Sequence, residues 1–132
     1  MRILVVDDDY ISRVKLSQLL LAYGHCDNAP NGDIAIRLFE AAQMELAPYN
    51  LVTMDIVMPD MNGQEVLMRL RGIEKEWETP AKMIAKVIMI TAKETAKDVA
   101  SSYYEGCDGY LTKPVNPEKI RTALVEVGCD VG

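Results

Sequence analysis

Four short apolar runs, each followed within two residues by a polar or charged side chain, constrain the fold of this chain most. The runs cover 3–6, 51–54, 87–90 and 109–111, and the residues that follow them are Asp7, Asp55, Thr91 and Lys113. Short runs rich in Val, Ile and Leu between helical segments are typical of buried parallel strands. Because the carboxyl ends of parallel strands face one crevice, we expect these polar side chains to meet there.

Helical periodicity separates these runs. Apolar residues recur with the spacing i, i+3, i+4, i+7 in five stretches, 16–23, 35–42, 66–73, 96–103 and 120–127. Strands that alternate with such helices pair in parallel through crossover connections, which predicts a three-layer α/β sandwich. Residues 25–29 are short and mostly polar, and the alternation of elements alone predicts an edge strand there.

Local signals predict where the helices begin and end. Asp9 is expected to place its charge at the positive end of the first helix dipole, and Gly24 is expected to end that helix. Asn31 and Asn116 are typical caps for the second and last helices. The single histidine, His25, follows the first helix, where the negative dipole end favours a cation, so a structural role is expected.

Three carboxylates at one crevice have a definite chemistry. Two like charges about 4 Å apart repel by roughly 4 kcal/mol at an effective dielectric constant near 20. Lys113 offsets part of the charge of Asp7, Asp8 and Asp55, and a hard divalent cation is needed for the rest. Oxygen ligands in a site with few protein ligands favour Mg²⁺. A carboxylate, Mg²⁺, a lysine and the hydroxyl of Thr91 are groups that support phosphoryl transfer.

Four motifs in order resemble the receiver domain of two-component response regulators. They are Val-Val-Asp-Asp at 5–8, Met-Asp-Ile-Val-Met-Pro at 54–59 followed by Asn-Gly at 62–63, Met-Ile-Thr-Ala at 89–92, and Gly-Tyr-Leu-Thr-Lys-Pro at 109–114. The resemblance extends along nearly the whole chain. It implies a flavodoxin-like, doubly wound (βα)5 fold whose parallel five-stranded sheet has the order 2-1-3-4-5.

The resemblance also implies roles for the residues at the crevice. Asp55 is expected to accept the phosphoryl group as an acyl phosphate. Asp8 is expected to bind Mg²⁺ directly and Asp7 to bind it through water or from the second shell. The backbone carbonyl of Val57, together with Asp55, would complete the protein ligands.

A second group of residues is expected to read out phosphorylation. Lys113 would pair with Asp55 before transfer and with the phosphoryl group afterwards, while Thr91 would turn inward to another phosphoryl oxygen. By resemblance, Tyr110 would follow that movement, and the fourth helix, last strand and last helix would form the output surface. Lys113-Pro114 resembles a position where the family has a cis peptide bond.

Length and charge limit the classes of function. The chain has 132 residues, of which 49% are hydrophobic, which is enough for one core, so we expect a single receiver domain over 1–132 with no output domain. A net charge of −6 argues against direct nucleic-acid binding. No stretch of the sequence is typical of a membrane span or a secretory signal, so a cytoplasmic protein is expected.

Two other features have simple readings. Cys26, Cys107 and Cys129 lack the spacing of a disulfide framework or zinc site and are expected to be reduced thiols. The charged stretch 72–86 is longer than a simple connection, which indicates a lengthened third helix or an inserted loop. Ordinary length variation is the preferred interpretation, and a docking surface that uses Trp77 is the alternative.

Several functional classes fit the same fold. A flavin or nucleotide binder needs an anion-binding loop after the first strand, where this chain has three aspartates. A haloacid dehalogenase-type phosphatase places its general acid two residues after the nucleophile, and Val57 occupies that position. A scaffold that acts without phosphorylation is the remaining alternative to a response regulator.

The sequence therefore predicts a single-domain response regulator rather than an enzyme with an external substrate. It takes its phosphoryl group from a histidine kinase or a histidine phosphotransfer protein and signals to an unidentified effector protein through a conformational switch. The sequence leaves open whether phosphorylation drives dimerisation.

Overall fold

The computed structural model describes residues 1–56, 63–92 and 106–132. Five strands and four α-helices alternate along this part of the chain, with one short 3-10 helix before the fourth strand. The strands are β1 (Arg2–Val6), β2 (His25–Ala29), β3 (Leu51–Asp55), β4 (Lys86–Thr91) and β5 (Gly109–Thr112). The helices are α1 (Tyr10–Leu20), α2 (Gly32–Met44), α3 (Gly63–Glu76), the 3-10 helix (Ala81–Met83) and α4 (Pro117–Glu126).

The sheet has the predicted topology. All neighbouring strands are parallel and their order is β2-β1-β3-β4-β5, which is the flavodoxin-like doubly wound arrangement. The predicted edge strand at 25–29 is confirmed, with Arg2 paired to His25 and Val6 to Ala29. The polar composition of β2 fits its edge position, because only one neighbouring strand pairs with it.

Two apolar layers hold the helices on the sheet. One buried cluster joins the sheet to α2 and α3, and includes Phe39, Tyr49, Val66 and Leu70. The other joins the opposite face to α1 and α4, and includes residues of the predicted helical stripes such as Leu16, Leu20, Ile120 and Leu124. The predicted helix over 96–103 lies outside the described residues. Among the described residues, no helix combines the length and apolar character that crossing a bilayer requires.

The helix caps follow the sequence at three positions. The side chains of Asp9, Asn31 and Asn116 each accept a hydrogen bond from the backbone N–H three residues on, at 2.9, 2.9 and 2.8 Å. Each cap satisfies one of the N–H groups that lack a partner inside the helix. These caps set the direction in which α1, α2 and α4 leave the preceding strand or loop.

The predictions that Gly24 ends the first helix and that His25 lies at the end of that helix were wrong. The helix α1 ends at Leu20, and Gly24 is needed because a Cβ there would lie 2.0 Å from the carbonyl oxygen of Met1. His25 belongs to β2, and its exposed ring contacts Asp27 at 3.1 Å instead of the end of α1. A close approach between distant backbone segments, rather than helix termination, therefore explains the glycine.

The stretch 72–86 contains both the end of a long third helix and a connecting loop, which were the two predicted structures. Helix α3 continues to Glu76, a turn with Glu78 at φ +51° follows, and the 3-10 helix leads into β4. Trp77 is 45% exposed at the end of α3. Cys26, Cys107 and Cys129 form no disulfide with one another.

Candidate functional site

The ends of β1 and β3 bring three carboxylates together, as the sequence predicts. Asp7 and Asp8 follow β1 directly, and Asp55 is the last residue of β3. One oxygen from each carboxylate lies within 4.8 Å of the other two. Asp7 is buried, Asp55 is half-buried and Asp8 is exposed. This edge of the sheet therefore forms an acidic cluster with one side open to solvent.

Lys113 is the cation that faces the acidic cluster. Its Nζ lies 3.8 Å from Oδ2 of Asp55 and 3.9 Å from Oδ2 of Asp7. The backbone positions the side chain, because the N–H of Lys113 donates to the carbonyl of Thr91 at 2.9 Å. The Lys113–Pro114 peptide bond is cis, as the resemblance implied. The ammonium thus lies between two carboxylates, and these two distances are longer than a hydrogen bond.

The surroundings of Asp7 favour its protonated form. Burial raises the pKa of Asp7 above its ordinary value, and the charges of Asp55 and Asp8 raise it further. The N–H of Asp9, which donates to Oδ1 of Asp7 at 2.9 Å, and the ammonium of Lys113 oppose this shift without cancelling it. One lysine is therefore insufficient compensation for three acids, and an additional cation would stabilise the ionised cluster.

The residues present fit a magnesium ion. The donor set is carboxylate oxygens, which Mg²⁺ prefers, and the exposure of Asp8 leaves room for the waters that the ion retains. Asp7, Asp8 and Asp55 are the residues that would hold it, with Asp7 acting through water or from the second shell. The predicted fourth ligand, the carbonyl of Val57, lies outside the described residues.

Thr91 lies on β4, which is next to β3, and Tyr110 lies on β5, which is next to β4. Thr91 is buried at the end of β4, and its Oγ1 donates to the carbonyl of Ala92 at 3.4 Å. Tyr110 is 38% exposed on β5 and pairs in register with Met89. Both residues therefore lie in the part of the sheet that leads to Lys113, and their roles as switch residues stay predictions.

An open cleft gives access to the acidic cluster. It has a volume of about 540 Å³ and lies between α1 and the segment that follows β5. Asp7 and Lys113 line its polar end, and Leu16, Leu19 and Val115 line its apolar part. The cleft therefore reaches Asp7 and Lys113, whereas Asp8 and Asp55 are not among its lining residues.

Two residues near the site have contacts that the sequence did not predict. The Nη1 of Arg13 donates to the backbone carbonyl of Asp7 at 2.8 Å. A Cβ on Gly63 would lie 2.6 Å from the backbone oxygen of Asp55, and the N–H of Gly63 donates to the carbonyl of Ile56. Nothing in the sequence marks the approach of Gly63 to Asp55.

Comparison with known proteins gives a consistent result. Residues 3–125 match the model of the response regulator receiver domain family. The chain is 35% identical over 120 residues to the protein PilH of Pseudomonas aeruginosa, covering 90% of this chain and 90% of PilH. It is 34% identical over 119 residues to the probable transcriptional regulator ycf29 of Porphyra purpurea, covering 89% of this chain but only 52% of ycf29. The chain therefore spans about half the length of that relative.

A solved structure agrees with the sequence comparison. The fold matches a chain in the co-crystal structure of the Saccharomyces cerevisiae histidine phosphotransfer signaling protein Ypd1 and the receiver domain of its downstream response regulator Ssk1. The match has a TM-score of 0.73 and 25% identity, and covers 92% of this chain and 83% of that chain.

Proposed function

Since this chain belongs to the response regulator receiver domain family, we propose that it accepts a phosphoryl group on Asp55 in a Mg²⁺-dependent reaction and signals through the resulting conformational change. One observation carries the proposal. Lys113 lies within 4 Å of both Asp7 and Asp55, and these two acids share a space with Asp8 that is small enough for one ion. This arrangement supports a nucleophilic role for Asp55, because its carboxylate lies near the positive charge that phosphoryl transfer requires.

In the proposed reaction, a carboxylate oxygen of Asp55 attacks the phosphorus of a phosphohistidine in line with the leaving nitrogen. The new O–P bond forms as the P–N bond breaks, and the donor imidazole keeps the electron pair and takes a proton from solvent. Mg²⁺, when bound, supplies charge neutralisation for the phosphoryl oxygens. The ammonium of Lys113 would stabilise the same developing charge, and no covalent bond forms to it.

Transfer of the phosphoryl group changes the partners of two side chains. Lys113 exchanges the carboxylate of Asp55 for a phosphoryl oxygen, and the hydroxyl of Thr91 donates to another. Thr91 would then leave its present contact with Ala92, and Tyr110 would follow this change on the neighbouring strand. A shift from 1:99 to 99:1 between two conformations requires about 5.5 kcal/mol, which charge-assisted hydrogen bonds from several groups can supply.

The donor and the cellular setting are further parts of the proposal. We propose a histidine kinase or a histidine phosphotransfer protein as the donor, supported by the fold match to a structure that contains such a protein and a receiver domain. We further propose a receiver domain over 1–132 that works in the cytoplasm on an effector protein and has no enzymatic activity on an external substrate. Dimerisation after phosphorylation is an outcome that the same preparation can test by sedimentation.

The test is incubation with acetyl phosphate, with and without Mg²⁺, followed by intact-protein mass spectrometry. We expect one added phosphoryl group that requires Mg²⁺ and is lost in base, and we expect Asp55→Asn to remain unlabelled. Asp33→Asn removes an exposed acid in the first turn of α2 and serves as the matched control, which should be labelled normally. Full labelling of Asp55→Asn would contradict the proposed acceptor.

A second variant separates capture from signalling. Thr91→Ala should still be labelled, because the nucleophile and Lys113 are unchanged, but the response of Tyr110 to phosphorylation should be lost. Tyrosine NMR signals measured before and after addition of acetyl phosphate would show this. A scaffold that acts without phosphorylation predicts no labelling of the wild type at all.

A further inference from the structure

The guanidinium of Arg13 contacts the backbone that carries the acidic cluster. It lies in the first turns of α1, and its Nη1 donates to the carbonyl oxygen of Asp7 at 2.8 Å. Its guanidinium also covers the ring of Tyr10, 5.6 Å from the ring centroid. Within residues 1–56, 63–92 and 106–132, Arg13 makes no ion pair with a carboxylate closer than 4.0 Å. The guanidinium is thus held at a neutral carbonyl rather than among the acids.

This carbonyl belongs to the peptide group that joins Asp7 to Asp8, so its orientation sets the direction in which Asp8 leaves the strand. The peptide group before it is also held, because the N–H of Asp7 donates to the carbonyl of Ala29 at 3.1 Å. The N–H of Asp9 donates to the carboxylate of Asp7. The backbone on both sides of Asp8 is therefore held by hydrogen bonds, and its exposed side chain extends from this fixed segment.

The two physical effects of Arg13 on a bound cation have opposite signs. A positive charge near the acidic cluster repels a divalent cation, so its removal should tighten binding. A hydrogen bond that fixes the ligand-bearing backbone preorganises the site, so its removal should weaken binding. Groups that orient metal ligands in this way typically affect metal affinity about 10–100-fold. The sign of the change therefore distinguishes the two effects.

We propose that Arg13 is a positioning residue of the magnesium site, which holds the peptide group between Asp7 and Asp8 so that three carboxylates face one ion. This inference rests on the proposed function, because it assigns a role within the same site. Its hydrogen bond to the carbonyl outweighs its electrostatic repulsion of the ion, because Arg13 meets the site through that neutral group and not through a carboxylate.

The test is titration of the full chain with MgCl₂ in the absence of any phosphodonor, followed by tyrosine fluorescence and isothermal calorimetry. We expect Arg13→Met to raise the Kd for Mg²⁺ about tenfold. Arg13→Lys keeps the charge and a donor, and should recover part of the lost affinity. Lys15→Met removes a positive charge from the same helix and lacks a bond to this loop, so the Kd should stay unchanged or fall slightly.

The outcomes separate this inference from the proposed function. An unchanged or tighter Kd in Arg13→Met would overturn the positioning role, provided that urea unfolding in EDTA shows a folded variant at the titration temperature. If that variant does not fold, Arg13→Lys decides, because a Kd equal to that of the wild type would overturn the claim that the arginine geometry matters. Arg13-dependent Mg²⁺ binding without labelling by acetyl phosphate would contradict the proposed function alone. Absence of Mg²⁺ binding by the wild type would overturn both.

Discussion

Acidic side chains at the two ends of the sheet have different partners. At the carboxyl ends of the strands, Lys113 lies 3.8 and 3.9 Å from Asp55 and Asp7, beyond hydrogen-bonding distance. Near the amino end of β4, buried Glu74 accepts hydrogen bonds from Arg71 at 2.7 Å and from the N–H of Ala85 at 2.8 Å. Glu74 therefore has a short hydrogen bond to each of its carboxylate oxygens.

The amino ends of β1 and β2 repeat this pattern. Asp27 accepts a hydrogen bond from the hydroxyl of Tyr49 at 2.7 Å, contacts the ring of His25 at 3.1 Å, and lies 3.7 Å from the guanidinium of Arg2. Burial raises the pKa of Asp27, but the hydrogen bonds from Tyr49 and His25 and the charge of Arg2 outweigh it, so the pKa lies below its ordinary value.

The difference separates acids that hold the fold from acids that are proposed to bind an ion or a phosphoryl group. Short, directed hydrogen bonds favour the charged form of Asp27, whereas burial and two neighbouring acids disfavour the charged form of Asp7. A carboxylate that must bind an ion and a phosphoryl group cannot be committed to protein donors on every oxygen. The instability of the acidic cluster is therefore a requirement of its proposed role.

The same chemical change at the two ends should have opposite effects on stability. Glu74→Gln replaces a buried charge that Arg71 and Ala85 hold, and we expect a loss of about 3 kcal/mol in the free energy of unfolding. Asp7→Asn keeps the acceptor for the N–H of Asp9 and removes a repelled charge, so a gain of about 1 kcal/mol is expected in EDTA at neutral pH.

Urea unfolding followed by circular dichroism measures both changes. Glu76→Gln, an exposed acid in the same turn of α3, is the matched control and should stay within about 0.5 kcal/mol of the wild type. Equal losses in the Glu74 and Asp7 variants would remove the distinction between the two ends of the sheet.

Magnesium should stabilise the folded chain through the carboxylates at the carboxyl ends of the strands. At a hundred times its Kd, Mg²⁺ should raise the free energy of unfolding of the wild type by about 2.7 kcal/mol, since it binds the folded state. Asp8→Asn removes one of the clustered carboxylates and should lose most of this gain, whereas Asp33→Asn should retain it. Thermal unfolding in MgCl₂ and in EDTA gives the comparison, and an equal magnesium effect in both variants would count against the assigned ligands.

Acid titration should reveal the two kinds of carboxylate through opposite slopes. The folded pKa of Asp27 lies below its ordinary value of 3.8, so the stability it contributes is present above pH 3.8 and is lost as pH falls through the folded pKa. The folded pKa of Asp7 lies above 3.8, so stability is lost as pH rises from 3.8 through that folded value.

Tyr49→Phe should make this contrast measurable. It removes one hydrogen bond to Asp27, so we expect a loss of about 1 kcal/mol at neutral pH that shrinks once Asp27 is protonated. The gain from Asp7→Asn should likewise disappear well below pH 3.8. Urea unfolding from neutral pH to well below pH 3.8 tests both variants, and a loss in Tyr49→Phe that is constant over this range would show that the hydroxyl does not act through Asp27.

The sequence predicts the fold and the principal site because both depend on short-range patterns. Apolar strands and helical stripes predict a parallel α/β sandwich, the resemblance to the receiver family implies the order of its strands, and the polar strand β2 follows from the alternation of elements. Residues placed at the ends of parallel strands must share one edge, which is why Asp7, Asp55 and Lys113 meet as predicted.

The features that the sequence did not predict depend on contacts between distant segments. Gly24 is required by the carbonyl of Met1, and Glu74 is buried by the backbone of Ala85, although its spacing from Arg71 is typical of an exposed helical pair. Arg13 occupies an ordinary helical position, and only the path of the chain after β1 shows that it binds a loop carbonyl.

The hydrogen bond from the N–H of Asp9 to Oδ1 of Asp7 has a consequence for ion selectivity. Calcium commonly takes six to eight oxygen ligands and often binds both oxygens of one carboxylate. The smaller Mg²⁺ ion binds single carboxylate oxygens and retains several waters. Because Oδ1 of Asp7 already accepts this hydrogen bond, bidentate coordination of an ion by Asp7 is disfavoured. Discrimination against calcium would then arise from the backbone of a loop, independently of how many acids surround the ion.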